Sequence, residues 1–163
     1  ETVEFHPKKR LLIMGGGLGM LPKEPWFYQR LADETNLQVT VITGKNRKLY
    51  QELAGVYDNI EVIGYTDQVE RYMRQADVVL TKPGGITLFE TIFCEKPILM
   101  FSPFLQQEVD NMEFAMLHGI GWVLPKKRKF WAEEICRLMN DSEAIARKTI
   151  CAKQLKNSYR RAV

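Results

Sequence analysis

The sequence predicts an α/β protein built on a doubly wound parallel sheet of about six strands. Three observations lead there. Short runs rich in Leu, Ile and Val recur along the chain, longer amphipathic segments separate them, and the unusual loops all follow the carboxyl ends of the short runs. RLLIM (10–14) is the first expected strand, with a helix near 24–35 after it. QVTVIT (38–43) alternates apolar and polar positions and leads to a helix near 46–54; NIEVIG (59–64) leads to one near 67–75. DVVLT (77–81) is followed by a helix near 86–94, and PILMF (97–101) by one near 108–118. GWVL (121–124) closes the sheet, and the KKRK run at 126–129 separates it from two final helices near 130–140 and 142–160. No repeat, low-complexity tract or linker interrupts this order. Such Rossmann-like sheets bind ligands beyond the carboxyl ends of their strands.

The totals set bounds on function. A chain of 163 residues with 45% hydrophobic content is enough for one substantial core, so a single domain is expected. The formal charge of +3 is too small to argue for nucleic acid, but it is unevenly placed. From Lys126 onward there are 11 Lys and Arg against 4 Asp and Glu; residues 1–125 carry 12 against 16. A basic C-terminal surface can meet anionic lipid or simply be solvated. Cys94, Cys136 and Cys151 form no CxxC pair and no zinc spacing, which suits a reduced, cytoplasmic chain. No apolar run approaches the roughly 20 residues needed to cross a bilayer. Because the chain opens on Glu1 and runs quickly into a strand, we expect an excised part of a longer protein.

Three loops carry the chemistry. GGGLGM (15–20) follows the first strand, and its glycines let backbone amides approach a diphosphate. Met20 stands where a dinucleotide fingerprint needs its last glycine, no acid closes the second strand, and no Gly-Lys-Ser/Thr completes a Walker loop. TKPGGITLFE (81–90) leaves the fourth strand through Pro83, Gly84 and Gly85. Here Thr87 and Glu90 match an S/T-x-x-E capping box, a purely structural device. Equally, the bare glycines expose a helix start, and the Glu90 carboxylate can accept two vicinal hydroxyls. SPFLQQEVDNMEF (102–114) sets Gln107 and Asn111 four residues apart on one helix face, where each side-chain amide offers both donor and acceptor to sugar hydroxyls.

Together LLIMGGGLGM, VITGKN, VIGYTDQVERYMRQADVVLTKPGGITLFE and QQEVDN resemble the donor-binding C-terminal half of family 28 glycosyltransferases, which have the GT-B architecture. The nearest members in appearance are monogalactosyldiacylglycerol synthases and processive diacylglycerol glucosyltransferases. The likeness runs from about Arg10 to Val123. It implies that the amides around Gly16, Gly17, Leu18 and Gly19 face a diphosphate and that Tyr65 and Thr66 border uracil. Gly84, Gly85, Ile86 and Thr87 would line phosphate and sugar, and Glu90 would bind the ribose. Gln107 and Asn111 would address the hexose with Glu108 nearby, and Asn46 would be supporting or donor-proximal. One departure is LQQE, where lipid enzymes commonly show PGQE or AGQE, so Gln106 replaces a glycine.

The resemblance further implies an inverting transfer of glucose or galactose from UDP to a lipid acceptor such as diacylglycerol, at the inner membrane face. No cofactor or metal is expected, since the chain lacks Asp-x-Asp and helix N-termini can compensate the diphosphate charge. The general base and the acceptor site are expected in an N-terminal domain outside this chain, which leaves no catalytic residue within it and an isolated piece without turnover. His6 and His118 are expected to be structural. Other readings are a UDP-N-acetylglucosamine transferase donor domain or partner-dependent subunit, a non-catalytic nucleotide-binding module and, more distantly, a dinucleotide oxidoreductase. VDN and MGGG favour the glycerolipid branch.

Overall fold

The computed structural model describes residues 8–15, 21–101 and 105–161. Six strands, β1 (Lys9–Met14), β2 (Leu37–Ile42), β3 (Ile60–Ile63), β4 (Val78–Thr81), β5 (Ile98–Met100) and β6 (Gly121–Val123), form one sheet in the order β3-β2-β1-β4-β5-β6. Every pairing is parallel, with Leu11 opposite Val39 on one side and Val78 on the other. The helices are α1 (Pro25–Ala32), α2 (Arg47–Leu53), α3 (Val69–Gln75), α4 (Gly85–Phe93), α5 (Gln106–Leu117), α6 (Trp131–Met139) and α7 (Ser142–Arg161).

A parallel sheet needs cover on both faces, and the period-2 alternation of its strands supplies two apolar surfaces. Leu11, Ile13, Val39, Val41, Leu80 and Leu99 point to the face packed by α1, α2 and α6. Leu12 and Val79 pack with Met73 of α3; Ile98 and Met100 pack with Leu88 and Ile92 of α4, Ala115 of α5, and Ala152 and Leu155 of α7. All four residues of β4 are buried, as a central strand requires.

The strand order reverses between β1 and β4. That is the switch point at which doubly wound sheets open a crevice, and it sets the end of β1 beside the loop leaving β4. At that end Gly15 is required by close approach, since a Cβ there would fall 2.5 Å from Leu21 Cγ. Four expected helices, those near 24–35, 46–54, 67–75 and 130–140, are shorter than the sequence suggests. The one expected over 24–35 ends at Ala32, with Asp33 as C-cap, and the one expected over 67–75 begins at Val69.

Candidate functional site

The loop leaving β4 is short and braced. Gly84 donates its N–H to Lys82 C=O at 2.9 Å, and α4 begins at once, with Gly84 as N-cap in an extended conformation. This corrects the capping-box reading. With Gly85 as first helical residue, Thr87 is third and Glu90 sixth, so neither can cap, and no side chain bonds the helix start. The first intrahelical bond runs from Leu88 N–H to Gly84 C=O at 2.9 Å. Among the described residues nothing accepts the N–H of Gly85, Ile86 or Thr87, which leaves the positive end of the α4 dipole uncovered.

The start of α5 holds this loop from the far side. Asn111 donates Nδ2–H to Pro83 C=O at 2.9 Å, and Lys82 Nζ lies 3.9 Å from Glu108 Oε1. Glu108, only 7% exposed, also accepts the Leu105 N–H at 3.5 Å. Glu108 and Asn111 therefore fix where the Pro83–Gly85 backbone sits. Gln107 is exposed and turns toward Gly85, its Nε2 lying 3.9 Å from where a Gly85 Cβ would be. Gln106, at the departure from the glycine pattern, donates to Asp110 at 3.1 Å along its own helix.

These pieces form one wall of a cleft of about 1090 Å³ between α3 and α4. Gly84, Gly85, Ile86, Thr87, Glu90 and Gln107 all line it, so six of the sequence-selected residues meet there. Glu90 is exposed and lies one turn beyond Ile86, whose side chain is 79% exposed. The opposite wall comes from Asp67, Val69 and Glu70, and the floor from Phe93 and Cys94. The sequence reading missed these last five, although Phe93 and Cys94 follow Glu90 at helical spacing. Burial disfavours the Cys94 thiolate and pushes its pKa up.

The remaining candidates lie elsewhere. Tyr65, 76% exposed, lines a second cleft of about 820 Å³ with Gly44, Lys45, Arg47 and Tyr50, not the cleft that contains Glu90. Thr66 accepts the Gln68 N–H through its hydroxyl at 3.0 Å, shaping the turn into α3. Asn46 caps α2, its Oδ1 accepting the Leu49 N–H at 3.1 Å, which is a supporting role. His118 is the C-cap residue of α5, its ring 4.4 Å from that of Phe114. Gly16, Gly17, Leu18 and Gly19, together with His6, lie outside the described residues.

An uncapped helix start, an exposed carboxylate and a side-chain amide thus share one cleft in a doubly wound α/β domain, and a bare helix start of this kind suits an anionic ligand. Comparison with known proteins names the family. Residues 12–160 match the model of the glycosyltransferase family 28 C-terminal domain, and the chain belongs to that family. Processive diacylglycerol beta-glucosyltransferases are similar to it: that of Bacillus subtilis (strain 168) is 32% identical over 144 residues, covering 86% of this chain and 37% of the relative. The Bacillus cereus (strain 03BB102) enzyme is 31% identical over 157 residues, covering 94% and 39%. The chain thus spans less than two-fifths of these relatives.

Solved structures agree on the fold. The kitacinnamycin glycotransferase superposes with a TM-score of 0.67 at 20% identity, over 93% of this chain and 40% of that one. A UDP co-structure of MnaA from S. aureus gives 0.67 at 19%, over 88% and 40%.

Proposed function

We propose that this chain is the donor-binding part of an inverting, metal-independent hexosyltransferase that holds UDP-glucose or UDP-galactose for transfer to a lipid such as diacylglycerol. The observation that carries this reading is the shared wall: uncovered amides at Gly85–Thr87, the Glu90 carboxylate and the Gln107 amide border one cleft. Amides aimed at a diphosphate stabilise the charge that grows on it as the bond to the sugar breaks, and they need no reorganisation to do so. Glu90 accepts the two ribose hydroxyls, which a phosphate-only site would not require.

In the reaction an acceptor hydroxyl attacks the anomeric carbon, the bond to the diphosphate oxygen breaks, and UDP leaves. The hydroxyl proton passes to a base that we place in a part of the enzyme beyond this chain. Similarity to diacylglycerol glucosyltransferases supports the lipid acceptor. Lipid work also suits peripheral attachment to a membrane, and no helix among the described residues is long and apolar enough to cross one.

Calorimetric titration with UDP, UDP-glucose, UDP-galactose, UDP-N-acetylglucosamine and NAD tests the reading. The expected result is binding of UDP and a UDP-hexose, with NAD inert and no hexosyl transfer by the chain alone. Preference for NAD, or indifference to UDP, would overturn it. Preference for UDP-N-acetylglucosamine would move the chain to the aminosugar branch.

A further inference from the structure

Between β6 and α6 the chain runs Lys126, Lys127, Arg128, Lys129, Phe130, and all five residues are exposed. Arg128–Phe130 form a single 3-10 turn. Behind it Trp131 is fixed: its indole N–H donates to Pro125 C=O at 2.6 Å, and its ring stacks on Phe101 with centroids 5.1 Å apart. The turn is thereby held outward, and Phe130 keeps 50% of its surface exposed. The Lys129 ammonium lies 5.0 Å from the Phe130 ring centroid, and the Arg128 guanidinium lies 5.4 Å from that of Trp131.

The acids that follow are occupied. Glu133 pairs with Arg30 and Glu134 with Arg137, and among the described residues no ion pair joins Lys126, Lys127 or Lys129. A cationic tip carrying an exposed aromatic ring suits a membrane–water boundary, where ammonium groups meet lipid phosphates and the ring settles among headgroups. A nucleic acid would need a broader basic track. Residues 1–125 carry 16 acids against 12 bases and so offer a polyanion no net basic track, whereas a flat bilayer needs the tip alone.

We propose that residues 126–130 are a membrane-contact element that docks the domain on an anionic lipid surface. The turn follows the carboxyl end of β6, on the same rim of the sheet as the donor cleft. Docking there keeps the cleft near the bilayer that supplies the acceptor. That last step rests on the lipid-acceptor reading above, while the contact itself does not.

The test is sedimentation of the chain with vesicles of phosphatidylcholine alone and of equal parts phosphatidylcholine and phosphatidylglycerol, at low and high salt. Binding to the anionic vesicles that weakens with salt is expected. In Lys126→Gln/Lys127→Gln/Lys129→Gln, partitioning should fall roughly 100-fold, about five-fold per lysine. Arg128 is kept because it packs on Trp131. Phe130→Ser should lower the fraction retained at high salt, and both variants should melt like the parent and bind UDP unchanged. Failure of the parent to bind anionic vesicles, or equal binding by the triple variant, overturns the proposal. So does a DNA duplex that binds more tightly than the vesicles. Loss of UDP binding in the parent would instead overturn the donor reading and leave vesicle binding intact.

Discussion

Gly85→Ala separates what the fold needs at the start of α4 from what a ligand needs. Gly85 does not have the positive φ seen at Gly44, Gly55 and Gly119, so alanine fits its backbone. A Cβ there would lie 3.8 Å from Asn111 Nδ2 and 3.9 Å from Gln107 Nε2, ordinary contact distances. Alanine also narrows the unfolded ensemble. The variant should therefore be more stable by about 0.4–1 kcal/mol, which raises the melting temperature by roughly 1–4 °C at this size. The same methyl group projects toward Gln107, across the approach to the Gly85–Thr87 amides. Crowding a fitted diphosphate there should cost about 1–3 kcal/mol, or roughly 5- to 150-fold in UDP affinity. Thermal melts without nucleotide and calorimetry with UDP measure the two effects on one sample. A variant that melts higher and binds UDP as well as the parent would refute the phosphate role of these amides. A variant that melts lower would refute the steric reasoning.

Three further outcomes are expected. Glu90→Ala should weaken UDP far more than inorganic diphosphate in calorimetry, with the melting temperature shifting by no more than about 0.5 kcal/mol equivalent because the side chain is exposed; equal loss for both ligands would remove the ribose contact. Glu95 has φ of 61°, a left-handed conformation that costs a non-glycine residue about 1 kcal/mol, and its carboxylate lies 3.4 Å from the ammonium of Lys156, whose side chain is 11% exposed. Glu95→Gly should stabilise by about 1 kcal/mol in a Lys156→Met background but gain little or nothing alone, where Lys156 loses its partner; denaturant melts of the four combinations measure the coupling. In thiol alkylation at neutral pH, half-buried Cys151 should react first and Cys136 last, since burial pushes the Cys136 thiol up to about 11. Raising the pH to about 9 should leave Cys136 slow, because it remains below that thiol's pKa.

Much of the fold was legible because each strand is a compact apolar run and each run is followed by an amphipathic segment. The parallel sheet and the carboxyl-rim position of the site follow from that alternation. Helix starts were less legible. Thr87 and Glu90 have capping-box spacing, but local spacing cannot tell a cap from an interior turn when the glycine before it can itself be the cap. The roles of Glu108 and Asn111 were hidden for a different reason. Their partners Lys82 and Pro83 lie 26 and 28 residues away and are brought within reach by the pairing of β4 with β5. The same holds for the second cleft, where Tyr50 and Tyr65 converge through the pairing of β2 with β3. The left-handed conformation at Glu95 gave no signal either, since glycine is the residue that usually marks such a position.

At the centre stands the claim that the backbone of Gly85, Ile86 and Thr87 grips a uridine diphosphate without help from a divalent cation. Backbone amide resonances of the isotope-labelled chain, followed during UDP titration in the presence of a chelator, address it directly. The expected result is saturable shifts concentrated at Gly85, Ile86 and Thr87, unchanged when magnesium replaces the chelator. Binding that leaves those three resonances in place, or that appears only with magnesium, would contradict it.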